Sequence, residues 1–133
     1  MKLVSGTRIY ADCRTLLDEI LNISVDLPRN FKFTVGAKMQ EYAVEALGDI
    51  AGAYIDKTLE KRIDSLTDFQ VKFETLKLLV RIAGERKWIG LKRFARISEL
   101  IVAIGKQSTA WKNSLIAAKI AESERKPEPE GQG

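Results

Sequence analysis

Residues 91–118, LKRFARISELIVAIGKQSTAWKNSLIAA, decide the fold. Within them Phe94, Ile97, Ile101, Ile104, Ser108, Trp111, Leu115 and Ala118 recur at alternating steps of three and four. In an α-helix that pattern draws one continuous seam of small and apolar side chains. Such a seam is what antiparallel helices interdigitate when they pack side by side.

Three more stretches carry the same signature. Ile9, Cys13, Leu16, Ile20 and Ile23 predict a helix over about residues 8–23, stopping before Leu27-Pro28 because the residue ahead of a proline avoids helical geometry. Val35, Met39, Tyr42, Ala46, Ile50 and Ala53 predict a second over about 34–58, with Thr34 as its N-cap. Leu66, Phe69, Phe73, Leu76, Val80 and Ala83 predict a third over about 65–85. No segment alternates with the period of two that strands need. The expected fold is all-α, an antiparallel up-down-up-down four-helix bundle over residues 1–121. The segment 122–133, ESERKPEPEGQG, has no apolar face and is expected to be a disordered, acidic tail. Gly48, Gly52, Gly84 and Gly105 fall inside helices, each at a cost of about 1 kcal/mol against alanine. Gly48 and Gly52 share a face, which implies a close helix–helix approach or a contact surface for another subunit.

Composition narrows the chemistry. The 133 residues include no histidine and one cysteine, Cys13. Ser-His-Asp and Cys-His catalysis are thereby excluded, as are an imidazole metal site, a Cys-based zinc cluster and an internal disulfide. Cys13 sits on the helix-one seam and reads as a buried structural thiol. Residues 1–10 lack the apolar run of a secretory signal, and no stretch approaches the roughly 20 apolar residues of a membrane span. A cytoplasmic protein with no membrane partner, no cofactor and no enzymatic activity is expected.

Two motifs invite sharper readings and lose them. Gly105-Lys106-Gln107-Ser108-Thr109 looks like the end of a phosphate-binding loop, but the motif's first glycine would fall at Leu100, in mid-helix. Glu41, Glu45 and Asp49 line one helix face, yet carboxylate metal sites in bundles usually add Glu-x-x-His. A solvated acidic stripe facing bases of a neighbouring helix or subunit is the simpler account.

The bases are the most informative feature. The chain carries 22 Lys+Arg against 18 Asp+Glu, a net charge of +4. The tail holds four acids and two bases, which leaves 20 bases against 14 acids, or +6, in residues 1–121. Arg86, Lys87, Lys92, Arg93 and Arg96 cluster around the turn between helices three and four. Lys77 and Arg81, and again Lys92 and Arg96, are like charges at i, i+4 that repel by a few tenths of a kcal/mol unless an anion relieves them. Lys106, Lys112 and Lys119 extend the positive character along helix four. These ten residues are the candidate contacts to nucleic acid or a protein partner. Arg81, beside the helix-three seam, serves either such a contact or an ion pair. Trp88, in the same turn, is expected to cap the end of the bundle.

Three segments carry a family resemblance: Leu27-Pro28-Arg29-Asn30-Phe31-Lys32-Phe33-Thr34-Val35-Gly36; Leu76-Lys77-Leu78-Leu79-Val80-Arg81-Ile82-Ala83 followed by Lys87-Trp88-Ile89; and Ile104-Gly105-Lys106 followed by Trp111-Lys112-Asn113-Ser114. In order and spacing they resemble the accessory variability determinant (Avd) family of diversity-generating retroelements. The wider superfamily includes four-helix-bundle proteins encoded in intervening sequences of 23S ribosomal RNA genes. The family often has Gly-Gly before the tryptophan, where this chain has Thr109-Ala110. The resemblance implies a non-enzymatic, homopentameric partner of the element's reverse transcriptase that also binds template RNA or cDNA through a basic surface and supports mutagenic retrohoming. The alternative is a bundle protein of the intervening-sequence type with a structural, scaffold role.

Overall fold

The computed structural model describes residues 7–125. Four long helices account for nearly all of them: α1 (Arg8–Ser24), α2 (Ala37–Ile55), α3 (Leu59–Glu85) and α4 (Leu91–Arg125). The described residues contain no strand. Each helix packs on its neighbour in the chain, and α1 closes the bundle against α4.

Cross-helix contacts fix the directions. Asp49 of α2 meets Lys72 of α3, while Asp56 at the end of α2 meets Ser65. Asp26 meets Arg93, and Asp12 meets Gln107. In both pairs one number falls as the other rises, so α2 and α3 run antiparallel, as do α1 and α4.

The predicted seams form the core. Ile9, Cys13, Leu16, Ile20 and Ile23 of α1 are buried, and so are all six seam residues of α3. Met39, Ala46, Ile50 and Ala53 of α2 and Ile97, Ile101, Ile104 and Leu115 of α4 belong to one apolar cluster, and the buried Ser108 donates its hydroxyl to the Gly105 carbonyl of its own helix. Burial of that surface is the main stabilising contribution. The one other buried polar residue among those described, Ser24, donates to the Leu21 carbonyl and accepts from Gln40 Nε2 at 2.6 Å.

Helix boundaries depart from the periodic reading in three places. Thr34 is not an N-cap. The chain is already helical at Arg29–Phe31, with Phe31 N–H and Lys32 N–H both donating to the Pro28 carbonyl, and a π-helical turn, Lys32–Gly36, leads into α2. Thr34 sits in mid-turn and donates to the Phe31 carbonyl. Next, α2 ends at Ile55 and α3 begins at Leu59, where Thr58 accepts from Lys61 N–H. Leu59 and Ile63, both packed against the core, extend the α3 seam backwards by the same steps of four and three. Finally, α4 continues through Glu122 to Arg125, so the start of the segment expected to be a disordered tail is helical. Leu115 is its last buried residue, and Ala118, assigned to the seam, is exposed: no described side chain covers it. Residues 126–133 of that segment lie outside the described residues.

The glycines divide differently from expectation. Gly48 is exposed, and a Cβ there would meet nothing within 4 Å. No close approach among the described residues explains it. The tight contact is at Gly84, where a Cβ would lie 2.6 Å from the Phe94 ring.

Candidate nucleic-acid interface

The turn after α3 is built as a Schellman-type stop. Lys87 N–H donates to the Gly84 carbonyl and Trp88 N–H to the Ala83 carbonyl. That geometry needs a left-handed residue after the helix, and Lys87 occupies it at φ 61°, where glycine is the usual choice. A lysine at that position carries local strain that a glycine would not.

Trp88 then turns inward onto Phe31, with ring centroids 4.7 Å apart. The Arg86 guanidinium lies 5.3 Å from each of the two ring centroids. This cluster joins two connections that are more than fifty residues apart in sequence, and it caps the bundle end as the position of Trp88 suggested. Residues 25–33 and 85–93 therefore share one end, with six bases (Arg29, Lys32, Arg86, Lys87, Lys92 and Arg93) against two acids, Asp26 and Glu85. At the opposite end, residues 7–12 and 56–64 carry four bases and four acids. The bundle is charge-polarised along its axis.

Within the ten candidate residues the structure makes distinctions. Arg93 pairs with Asp26 at 3.0 Å, Arg96 with Glu19 at 3.7 Å and Lys77 with Glu74 at 3.0 Å. For these three, internal carboxylates already relieve part of the like-charge repulsion. Lys112 donates to Gln70 Oε1. Arg81, Arg86, Lys87, Lys92, Lys106 and Lys119 are exposed and make no ion pair among the described residues. For Arg81 the structure thus offers no ion pair among the described residues. The ten are not one surface. Arg86, Lys87, Lys92 and Arg93 lie at the basic end. Lys77 and Lys106 flank a groove between α3 and α4 with Gly105 and Thr109, and Lys119 is exposed in the last turns of α4.

Sequence reasoning missed Arg29 and Lys32 as members of the basic end. They are isolated along the chain and join the cluster only through the Phe31–Trp88 contact. It also missed Phe33, which the π-turn leaves 79% exposed.

The acidic stripe is occupied by its neighbours. Lys72 of α3 lies 2.8 Å from Asp49 and 3.9 Å from Glu45, and Lys38 lies 3.3 Å from Glu41. The hydrogen bond to Asp49 raises the Lys72 pKa above its ordinary value. Among the described residues no group of three or more acidic, cysteine or histidine side chains could hold a metal ion. Cys13 is buried, and burial pushes its thiol up to about 12, with Asp12 adding to the shift. No described helix is long and apolar enough to cross a membrane.

No curated protein matches the chain. The family model described as bAvd-like matches residues 3–115, which take in α1, α2, α3 and α4 as far as its last buried residue, together with both connections of the basic end. The chain belongs to the bAvd-like family.

Proposed function

We propose that this chain is a non-enzymatic accessory subunit of a diversity-generating retroelement, working in the cytoplasm beside a reverse transcriptase and holding template RNA or cDNA on its basic surface. The observation that supports the reading best is the basic end: six bases from two connections, four of them (Arg29, Arg86, Lys87 and Lys92) exposed and without an acidic partner among the described residues. Bases so placed suit phosphates, which position a nucleic acid without reading its sequence. The partner polymerase supplies the chemistry, consistent with a chain that has no histidine and a cysteine sealed in its core.

The test is binding of a structured RNA across a salt series. Replacing Arg86, Lys87 and Lys92 together by alanine is expected to weaken binding and to reduce the salt dependence by about one phosphate contact per base removed. Unchanged affinity at low salt would sink the assignment. Co-purification with a polymerase encoded nearby tests the second half of the proposal.

A second reading, an oligomeric scaffold of the intervening-sequence type, draws on the outer faces. Val44, Val71, Leu78 and Val102 are exposed on three different helices. Such side chains suit self-association, and a homopentamer is what the family resemblance implies. Light scattering gives the subunit number. A genome with no reverse transcriptase nearby, together with no RNA binding, would favour the scaffold.

A further inference from the structure

The basic end adjoins a cleft that nothing above uses. It lies between the start of α2 and the second half of α3 and encloses about 580 Å³. Phe33, Val35, Tyr42 and Leu79 line it, with Lys38 and Glu41 at the rim. Resting on the nucleic-acid reading above, we infer that this end holds a single strand, with bases entering the cleft against Phe33 and phosphates lying on Arg29, Lys32, Arg86 and Lys87.

Three observations carry the inference. Phe33 is 79% exposed, an unusual position for a phenylalanine inside a helical segment. The exposure falls within the π-turn: over six residues Phe31 lies on Trp88, Gly36 is buried against Ser24 and Phe33 faces solvent. Such turns often mark functional sites. In addition, Arg86 is fixed above two aromatic rings yet remains exposed, so little freedom is lost when it meets a phosphate.

The strand must be single because the cleft is apolar. A duplex keeps its base faces stacked and offers the protein only phosphates and groove edges, leaving Phe33 in water. A single strand offers phosphates at the rim and free π-faces for stacking, which is how sequence-tolerant single-strand sites are built. Glu41 would repel a phosphate, but Lys38 lies 3.3 Å from it and neutralises it.

The experiment uses the full chain and a fluorescein-labelled, unstructured oligoribonucleotide of about 12 nucleotides, alone and annealed to its complement, with anisotropy read over a salt series. The single strand is expected to bind about tenfold tighter than the duplex, and Phe33→Ala to lose about five- to twentyfold on the single strand alone. Phe33→Trp should restore binding. Phe33→Ala should leave the salt slope unchanged, whereas Arg29→Ala and Lys32→Ala should each lower it by about 0.7. Lys57→Ala and Lys61→Ala at the opposite end should change nothing, and circular dichroism confirms that the variants fold. Equal binding of duplex, an unaffected Phe33→Ala, or equal losses from the opposite end each overturn the inference while leaving nucleic-acid binding intact. A Phe33→Ala protein that keeps its RNA affinity but no longer retains the polymerase makes the cleft a protein dock and overturns it too. No binding of either oligonucleotide by the unaltered chain overturns this inference and the nucleic-acid reading together.

Discussion

Phe31 lies against Trp88 with ring centroids 4.7 Å apart and planes inclined at 33°. One residue leads into α2 and the other leads out of α3, so the contact ties two connections into one end of the bundle. Phe31→Ala and Trp88→Ala are each expected to cost about 2 kcal/mol in urea denaturation. Because the rings act on each other, the double variant should fall short of the sum by about 0.5–1.5 kcal/mol. Strict additivity would show that the rings merely fill space separately.

Lys87 occupies a left-handed position that glycine adopts without steric cost. Lys87→Gly should therefore stabilise the fold by about 0.5–1 kcal/mol, measured by the same denaturation. The variant should also bind RNA more weakly. A gain in stability with a loss in binding would identify Lys87 as a residue retained for its charge.

Gly84 and Gly48 should respond in opposite directions to alanine. At Gly84 the new Cβ would sit 2.6 Å from the Phe94 ring, so the side chain must move, at a net cost of about 1–2 kcal/mol. At Gly48 nothing lies within 4 Å, and helix propensity alone acts, for a gain of up to about 1 kcal/mol. A Gly48→Ala protein that is stable but changed in oligomeric state would assign that face to a subunit contact.

The Cys13 thiol, raised from 9.0 to about 12 by burial, stays protonated in the folded chain while the unfolded chain ionises. Its contribution is complete below the unfolded value and is lost as pH rises from there to the folded one, at about 1.4 kcal/mol per pH unit. Lys72, also raised, loses its pairing on the same alkaline side, at higher pH. Stability should fall above about pH 9, and Cys13→Ala should flatten the first part of that limb. At pH 8 a thiol reagent should label the native protein only after denaturant is added. Rapid native labelling would contradict the burial.

The pairs Arg93–Asp26 and Arg96–Glu19 lie at the surface. Arg93→Ala and Arg96→Ala should each change stability by less than about 1 kcal/mol. Their effect on RNA affinity should be smaller than that of Lys92→Ala, since each guanidinium is already engaged by a carboxylate and is less available to a phosphate. Equal effects would mean that the pairs open when the ligand binds.

The four helices and nearly all of the core were legible in the sequence, because seam spacing is a local property. Ile9 to Ile23, Leu66 to Ala83 and Ile97 to Leu115 announce their buried faces through steps of three and four. Composition likewise excluded histidine chemistry, and charge counting found the bases around Trp88. What the sequence could not express was which local features meet. Thr34 looks like a cap, yet the turn beginning at Pro28 had already started the helix and pushed Thr34 into a π-turn. Ala118 lies on the seam, yet it is exposed, since spacing along the chain does not say which residues a neighbouring helix will cover. Arg29, Lys32 and Phe33 carry no signal of their own. They join the basic end because an aromatic contact brings their connection against Trp88 and Arg86, with Phe33 left facing solvent. Periodicity determined the helices, since it needs only neighbours along the chain. The basic end and its cleft belong to the tertiary structure, since a surface is defined by residues that only packing makes adjacent.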